Sequence, residues 1–192
     1  PWNPALTCGG SSGGAAVALA TGMGPLAQGS DLGGSLRLPA AFCGVVGFRT
    51  TPGLVPVYPK DLAWDSLSVS GPMARTIGDT ALMLAAMAGP DDRAPLSYAV
   101  DTGAFLRAVR KPSIRGWRVA WTPDLAGLIP VDAEVAAGAE AATPRGFRAL
   151  GARVEPARPS FAGGEGIVLA TRRLRVIPFG RYFPRRRAGV GA

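Results

Sequence analysis

The first strong apolar run of the chain is built from small side chains. Residues 15–21 read AAVALAT and lie between a glycine- and serine-rich segment and Gly22. A serine before such a run and a glycine after it are typical of the two ends of an α-helix. The pattern predicts a short helix that packs closely against a sheet, followed by a short strand over residues 25–28.

Two further helices are predicted in the first half of the chain. One covers residues 36–43, with Pro39 near its first turn, where proline is well tolerated. The other follows Thr76 and Asp79, which have the spacing of a capping box. Its residues 80–88 are apolar on all sides before Gly89-Pro90 ends the run, so a buried helix is expected.

The second half of the chain alternates strand and helix signals. Residues 103–109 predict a short amphipathic helix, and residues 117–121 alternate in the manner of a strand. An alanine-rich helix opens at residues 130–132 and runs toward Leu150, with a break expected at Thr143-Pro144. Residues 152–155 predict a second strand. Strand, helix and strand in this order indicate an α/β protein.

Length and composition fit one ordinary domain. The chain has 192 residues, of which 47% are hydrophobic, enough to bury a single core. No apolar run approaches the roughly 18 residues that a membrane span needs, and no signal peptide opens the chain. The chain begins at Pro1 rather than at methionine, inside a motif described below, which suggests a fragment of a longer gene product.

The net charge of +8 is concentrated at one end. Residues 1–171 hold 14 basic and 13 acidic residues, so the body of the chain is nearly neutral. A clustered basic tail can bind polyanions, but a solvated or out-of-frame tail is the favoured interpretation. The seven arginines concerned are Arg172, Arg173, Arg175, Arg181, Arg185, Arg186 and Arg187.

The absence of histidine restricts the chemistry most. It excludes Ser-His-Asp and Cys-His mechanisms within the chain, and zinc sites that need histidine. A nucleophilic serine would therefore need a lysine, a carboxylate or a base outside the chain, and the only lysines are Lys60 and Lys111. Cys8 and Cys43 lack CxxC spacing, which favours a reduced, cytoplasmic protein.

Two Gly-Gly-Ser loops, each followed by a predicted helix, carry the candidate chemistry. Residues 9–13 match G-x-S-x-G, but neither the buried strand nor the histidine of a nucleophile elbow accompanies them. Neither loop has a phosphate-binding motif. Glycines allow backbone N–H groups to converge on one point, as in an oxyanion hole. Tight turns with capping serines remain an equal alternative on spacing alone.

These loops and several later segments resemble the amidase signature family of serine hydrolases. The resemblance extends over roughly residues 1–160, a partial amidase domain, and leaves residues 161–192 as a divergent arginine-rich tail. The matching segments are residues 9–14, 29–40, 42–47, 71–76, 121–125 and 130–132.

The resemblance implies a mixed β-sheet core flanked by α-helices and a Ser–cis-Ser–Lys triad. It implies that Ser35 attacks a carboxamide and forms an acyl-enzyme, and that Ser11, held on a cis peptide, relays a proton. The implied oxyanion hole consists of the backbone N–H groups of Leu32, Gly33, Gly34 and Ser35. The lysine base of the family lies upstream of the loops, so it is not in this chain.

Other residues of the loops receive supporting roles. Asp31 and Arg37 are expected to hold the second loop by hydrogen bonds or an ion pair. Ser12 and Ser30 are expected to act as helix-cap and loop-bonding residues. Where the family usually reads Lys-Pro-Thr, this chain has residues 49–51, Arg-Thr-Thr. Both lysines of the chain are expected on the surface.

The resemblance implies a small-molecule amide substrate and neither a metal nor an organic cofactor. Nucleic acid and membrane partners are not expected for the body of the chain. Two alternatives stay open. One is the glutamine-hydrolysing subunit of a tRNA-dependent amidotransferase, which would bring partner proteins, and the other is a catalytically dead remnant.

Overall fold

The computed structural model describes residues 2–110, 113–125 and 127–160. The chain divides into two compact units, residues 1–112 and residues from Ser113 onward. Among the described residues, no helix is long and apolar enough to cross a membrane. The first unit contains α1 (Gly13–Ala20), β1 (Leu26–Asp31), α2 (Arg37–Cys43), β2 (Val46–Gly47), β3 (Val69–Ala74), α3 (Ile77–Met87) and α4 (Gly103–Arg110). The second contains β4 (Arg118–Trp121), α5 (Ala133–Ala149) and β5 (Arg153–Pro156).

The sheet of the first unit has the order β1-β3-β2, and both pairs are antiparallel. Every residue of the central strand β3 is buried. Its Gly71 and Pro72 are poor strand formers, and the sequence predicted no strand there. Pro72 has no N–H to donate, but its carbonyl accepts the N–H of Phe48 at 3.1 Å and so keeps one hydrogen bond to the segment that follows β2. Gly71 is required because a Cβ there would overlap the main-chain oxygen of Phe48.

The core of this unit lies between the sheet and helices α1 and α2. Both helices were predicted, and the small residues of α1 pack against the sheet as expected. Leu36, just before α2, is fully buried and joins the two helices to the strands. The buried members of the cluster are Ala16, Leu19, Leu36, Ala40, Cys43 and Met73.

Helix α3 differs in its burial from the sequence prediction. The predicted cap is present, because the Thr76 hydroxyl accepts the N–H of Asp79 at 3.1 Å. Only one face of the helix is buried, however, while Ile77 and Leu82 are 61% and 53% exposed. In the described part of the unit, α3 packs against β3 and α4. These elements cover only one side of the helix, although its residues are apolar on all sides.

The second unit has the predicted order of strand, helix and strand. Strands β4 and β5 pair in parallel, with Arg118 opposite Arg153. Asp132 caps α5 by accepting the N–H of Glu134 at 2.9 Å. The predicted break at Thr143-Pro144 was wrong, because α5 continues through the buried Pro144. A helix with tertiary cover tolerates the one hydrogen bond that proline removes. The α/β class is confirmed.

Candidate active site

The two glycine- and serine-rich loops lie side by side. The N–H of Ser12 donates to the carbonyl of Ser35 at 3.2 Å. The Ser12 hydroxyl accepts the N–H of Ser30 at 3.2 Å and donates to the Ser30 carbonyl at 3.4 Å. Residues that are 18 and 23 positions apart in sequence are therefore joined directly, which brings the loop before α1 to the loop before α2.

The predicted role of Ser12 as a helix cap was wrong. Ser12 occupies the N-cap position of α1, but its side chain makes no hydrogen bond to that helix. The hydroxyl is used by Ser30 instead, so that Ser30 is the loop-bonding residue that was expected. The approach is so close that a Cβ at Gly29 would lie 2.7 Å from the Ser12 Oγ. Glycine is thus needed at position 29 for the loops to meet.

The two serines with predicted catalytic roles lie on these joined loops. Ser11 is exposed, and the peptide bond between Gly10 and Ser11 is cis, as the resemblance implies. Ser35 is half-buried and lies two residues before the first residue of α2.

Asp31 organises the second loop. Its side chain is fully buried, and one carboxylate oxygen accepts the N–H of Gly34 at 2.8 Å. The other oxygen accepts the N–H groups of Leu36 at 3.3 Å and Arg37 at 3.4 Å. A single carboxylate therefore folds residues 31–37 around itself.

Two guanidinium groups neutralise this buried carboxylate. Arg37 donates Nε and NH2 to the two oxygens of Asp31 at 2.9 and 3.0 Å, which is the expected ion pair. Arg49 donates NH1 to Oδ1 at 3.0 Å and also to the main-chain oxygen of Asp31. Burial alone would raise the pKa of Asp31. The hydrogen bond from Arg37, the N–H of Gly34 and the charge of Arg37 outweigh burial and hold that pKa well below its usual range.

One of the four N–H groups of the predicted oxyanion hole has an acceptor within the chain. The N–H of Gly34 points at the Asp31 carboxylate, so it is not available to a substrate oxygen. Among the residues that the structure describes, none accepts the N–H groups of Leu32, Gly33 or Ser35. These three N–H groups are therefore the members of the predicted set that have no acceptor among the described residues.

Arg49 is the residue of this site that sequence reasoning missed. In the sequence, position 49 is distinguished only by having arginine where the resembled family usually has lysine. A guanidinium can donate several hydrogen bonds in a fixed fork, so an arginine that lies beside a buried carboxylate is a candidate partner for it. That place depends on a contact across 18 residues of sequence, which no local pattern shows.

Lys60, the lysine that the structure describes, makes its hydrogen bonds away from the joined loops. Lys60 donates Nζ to the main-chain oxygens of Asp65 at 2.7 Å and Ser68 at 3.1 Å, and its side chain is 19% exposed. It is therefore mostly buried, and the surface position predicted for it was wrong. Lys111 and the arginine-rich tail, residues 161–192, lie outside the described residues.

Stability against acid gives a test of the Asp31 cluster. The pKa of Asp31 is lowered on folding, so its contribution is fully present above about pH 4, the unfolded value, and is lost as the pH falls through the folded pKa. The pKa values of Asp91 and Asp101 are also lowered, by hydrogen bonds from Arg93 and Arg107. The Asp31→Asn variant isolates the one group.

Between pH 4 and pH 2, we expect the unfolding free energy of the Asp31→Asn variant to fall less steeply than that of the wild type. The difference should approach about 1.4 kcal/mol per pH unit, the effect of one proton. Urea denaturation at a series of pH values measures it. Parallel slopes would mean that the folded carboxylate is not held ionised by its partners.

The comparisons with known proteins agree on one family. The family model described as Amidase matches residues 1–161. The acylamidase of Rhodococcus erythropolis is 45% identical over 161 residues, which cover 84% of this chain and 33% of that protein. One subunit of the glutamyl-tRNA(Gln) amidotransferase of Thermosynechococcus vestitus is 44% identical over 165 residues, 85% of this chain and 34% of that protein. The chain thus spans about a third of the length of these relatives.

Solved structures give the same result. A bacterial aryl acylamidase of the amidase signature family has a TM-score of 0.74 and 35% identity, with 82% of this chain and 32% of that chain covered. The 6-aminohexanoate cyclic dimer hydrolase bound to its substrate has a TM-score of 0.73 and 30% identity over 82% of this chain and 33% of that one. The sequence match, the fold and the joined serine loops together show that this chain belongs to the amidase signature family.

Proposed function

We propose that the protein to which this chain belongs is an amidase that hydrolyses a carboxamide through an acyl-enzyme on Ser35. The observation that carries the proposal is the loop before α2. There the buried Asp31 carboxylate holds the Gly34 N–H, while the N–H groups of Leu32, Gly33 and Ser35 have no acceptor among the described residues. Backbone donors left available beside a hydroxyl are what an acyl-transfer site requires.

In the proposed reaction the Ser35 Oγ attacks the carbonyl carbon of the amide. The N–H groups of Leu32, Gly33 and Ser35 bind the oxyanion of the tetrahedral intermediate. The proton of Ser35 passes through the Ser11 hydroxyl to a base and then to the leaving nitrogen, and the C–N bond breaks to release ammonia or an amine. Water then attacks the acyl ester and regenerates Ser35.

The base in this proposal is a lysine, as the resemblance implies, in the part of the relatives' length that this chain does not span. A lysine with an ordinary pKa of about 10.4 is protonated at neutral pH, so the site must favour its neutral form. Lys60 is not suited to this role, because its ammonium already donates to two main-chain oxygens.

A chimera tests the proposed activity. The Rhodococcus chimera is the acylamidase of Rhodococcus erythropolis with its 161 matched residues replaced by those of this chain. We expect it to release ammonia or amine from simple aryl or aliphatic amides. Because both loops come from this chain, turnover would show that they are competent. A folded chimera without turnover, beside an active parent enzyme, would support the alternative that these loops are a catalytically dead remnant.

The second candidate function is that of a glutamine-hydrolysing amidotransferase subunit. The chain is 45% identical to the acylamidase and 44% identical to the amidotransferase relative. Sequence identity therefore does not favour one function over the other. Such a subunit would act on glutamine together with partner proteins. The two are separated by exchanging the same residues into the Thermosynechococcus protein and measuring glutamine hydrolysis with and without the other subunits of that complex. Restored glutamine hydrolysis there, with no amide turnover by the Rhodococcus chimera, would favour the second candidate.

A further inference from the structure

Arg49 lies outside both serine loops, yet it is bonded to the residue that shapes one of them. Its NH1 donates to the main-chain oxygen of Asp31 and to Oδ1 of the same residue at 3.0 Å. Its NH2 donates to the carbonyl of Leu67 at 2.9 Å, just before β3. One guanidinium thus connects the end of β1 with the segment that enters β3.

The two arginines that contact Asp31 differ in their exposure to water. The side chain of Arg37 is 54% exposed, whereas that of Arg49 is 25% exposed. An ion pair that is open to water is screened and contributes little, while one with less access to water is screened less. Arg37 makes the two-point pair with the buried Asp31 carboxylate, and Arg49 is the partner that is less open to water.

The orientation of Asp31 decides where the Gly34 N–H points. The oxygen that accepts NH1 of Arg49 at 3.0 Å is the same Oδ1 that accepts the Gly34 N–H at 2.8 Å. If that oxygen turned away, Gly34 would lose its acceptor, and the Gly33–Gly34 peptide group would be free to rotate together with the peptide groups that precede and follow it. Those neighbouring groups carry the N–H donors of Gly33 and Ser35.

We propose that Arg49 is a positioning residue of the amidase reaction, which keeps the oxyanion donors aimed by fixing the Asp31 carboxylate. This inference rests on the proposed function. Arg49 itself does not touch the reacting atoms. Arginine suits the task better than lysine, because a planar guanidinium reaches the main-chain oxygen, the carboxylate and the Leu67 carbonyl together, whereas an ammonium is a single point of charge.

The chain offers a matched control for a merely structural role. Arg75 also ties distant segments together, since its NH1 donates to the carbonyls of Leu19 at 3.0 Å and Gly24 at 2.8 Å. It makes no bond to a carboxylate in the described part of the chain. Arg75→Gln therefore removes comparable hydrogen bonds between distant segments and leaves Asp31 unaffected.

The first measurement is amide hydrogen exchange in the 192-residue chain, with Arg49→Gln, Arg49→Lys and Arg75→Gln compared with the wild type. We expect Arg49→Gln to speed exchange at Gly34 by about tenfold or more, because the Asp31 acceptor is released. Arg49→Lys should lie between Arg49→Gln and the wild type, and Arg75→Gln should leave Gly34 unchanged. Unchanged exchange at Gly34 in Arg49→Gln would overturn the proposal.

The second measurement is steady-state kinetics of the same variants in the Rhodococcus chimera. We expect Arg49→Gln to lower kcat by about 10- to 100-fold, with KM within about twofold, because misaimed donors weaken binding of the transition state rather than of the substrate. Arg49→Lys should recover part of kcat. Faster exchange at Gly34 with unchanged kcat would mean that Arg49 has only a structural role, and it would overturn the inference. An inactive wild-type chimera would instead contradict the proposed function, and exchange at Gly34 would still decide whether Arg49 positions the loop.

Discussion

Replacement of Ser35 by alanine in the Rhodococcus chimera is expected to lower kcat/KM by about 10⁴-fold or more. The variant keeps the fold, because the contacts that this residue makes within the loops use its backbone carbonyl, which accepts the N–H of Ser12 at 3.2 Å. It loses the hydroxyl that attacks the amide, and loss of a nucleophile that acts in a relay typically costs this much. Hydrolysis of a chromogenic anilide measures the effect.

Ser12→Ala is the matched control for this substitution. Ser12 lies next to the proposed relay residue Ser11, but its hydroxyl is used by the backbone of Ser30. We expect Ser12→Ala to keep turnover within about tenfold of the wild type, since it weakens a contact between the loops worth about 1 kcal/mol. If Ser12→Ala were as damaging as Ser35→Ala, the proposed assignment of roles among the serines would be wrong.

Replacement of Asp31 by alanine is expected to destabilise the chain by about 3 kcal/mol, the lower end of the range for breaking a buried ion pair. The substitution leaves the Gly34 N–H and two guanidinium groups without their acceptor. The cost lies at the lower end because Arg37 and Arg49 both retain some access to water. Urea denaturation monitored by tryptophan fluorescence gives the difference in unfolding free energy.

Asp91 provides the control carboxylate. It forms a two-point ion pair with Arg93 at 2.8 and 3.0 Å, so the local geometry resembles that of Asp31 and Arg37. The side chain of Asp91 is 25% exposed and that of Arg93 is 64% exposed, so water screens this pair, and such pairs contribute little to stability. Asp91→Ala should therefore have a much smaller effect than Asp31→Ala. Equal losses from the two variants would show that burial of the Asp31 carboxylate is not what makes it important.

The elements that the sequence predicted correctly are those whose signals are local. Helix α1 ends at a glycine in the left-handed conformation, Gly22 with φ +79°, and α3 begins at a threonine that caps it. Strand β3 was missed because nothing local marks it. Its residues Gly71 and Pro72 disfavour a strand, and the pairing partners that hold it there are more than 20 residues away.

The same distinction between local and long-range signals applies to the candidate site. The two serine loops follow from motif and resemblance, because short glycine-rich segments are recognisable in sequence. The contact of Arg49 with Asp31 does not, because it depends on how segments 18 residues apart meet in space. Pro144 within α5 shows the converse, since a strong local signal for a break is overridden where the helix is packed.

The most direct test of the central claim is to find which serine carries the acyl group. The Rhodococcus chimera is treated with a fluorophosphonate, which forms a stable adduct with an activated serine, and digested with trypsin. No lysine or arginine of this chain precedes Arg37, so one peptide ending at Arg37 contains all four serines of the two loops. Fragment-ion mass spectrometry is expected to place the adduct on Ser35. An adduct on Ser11 or Ser12, with Ser35 unmodified, would contradict the proposed mechanism.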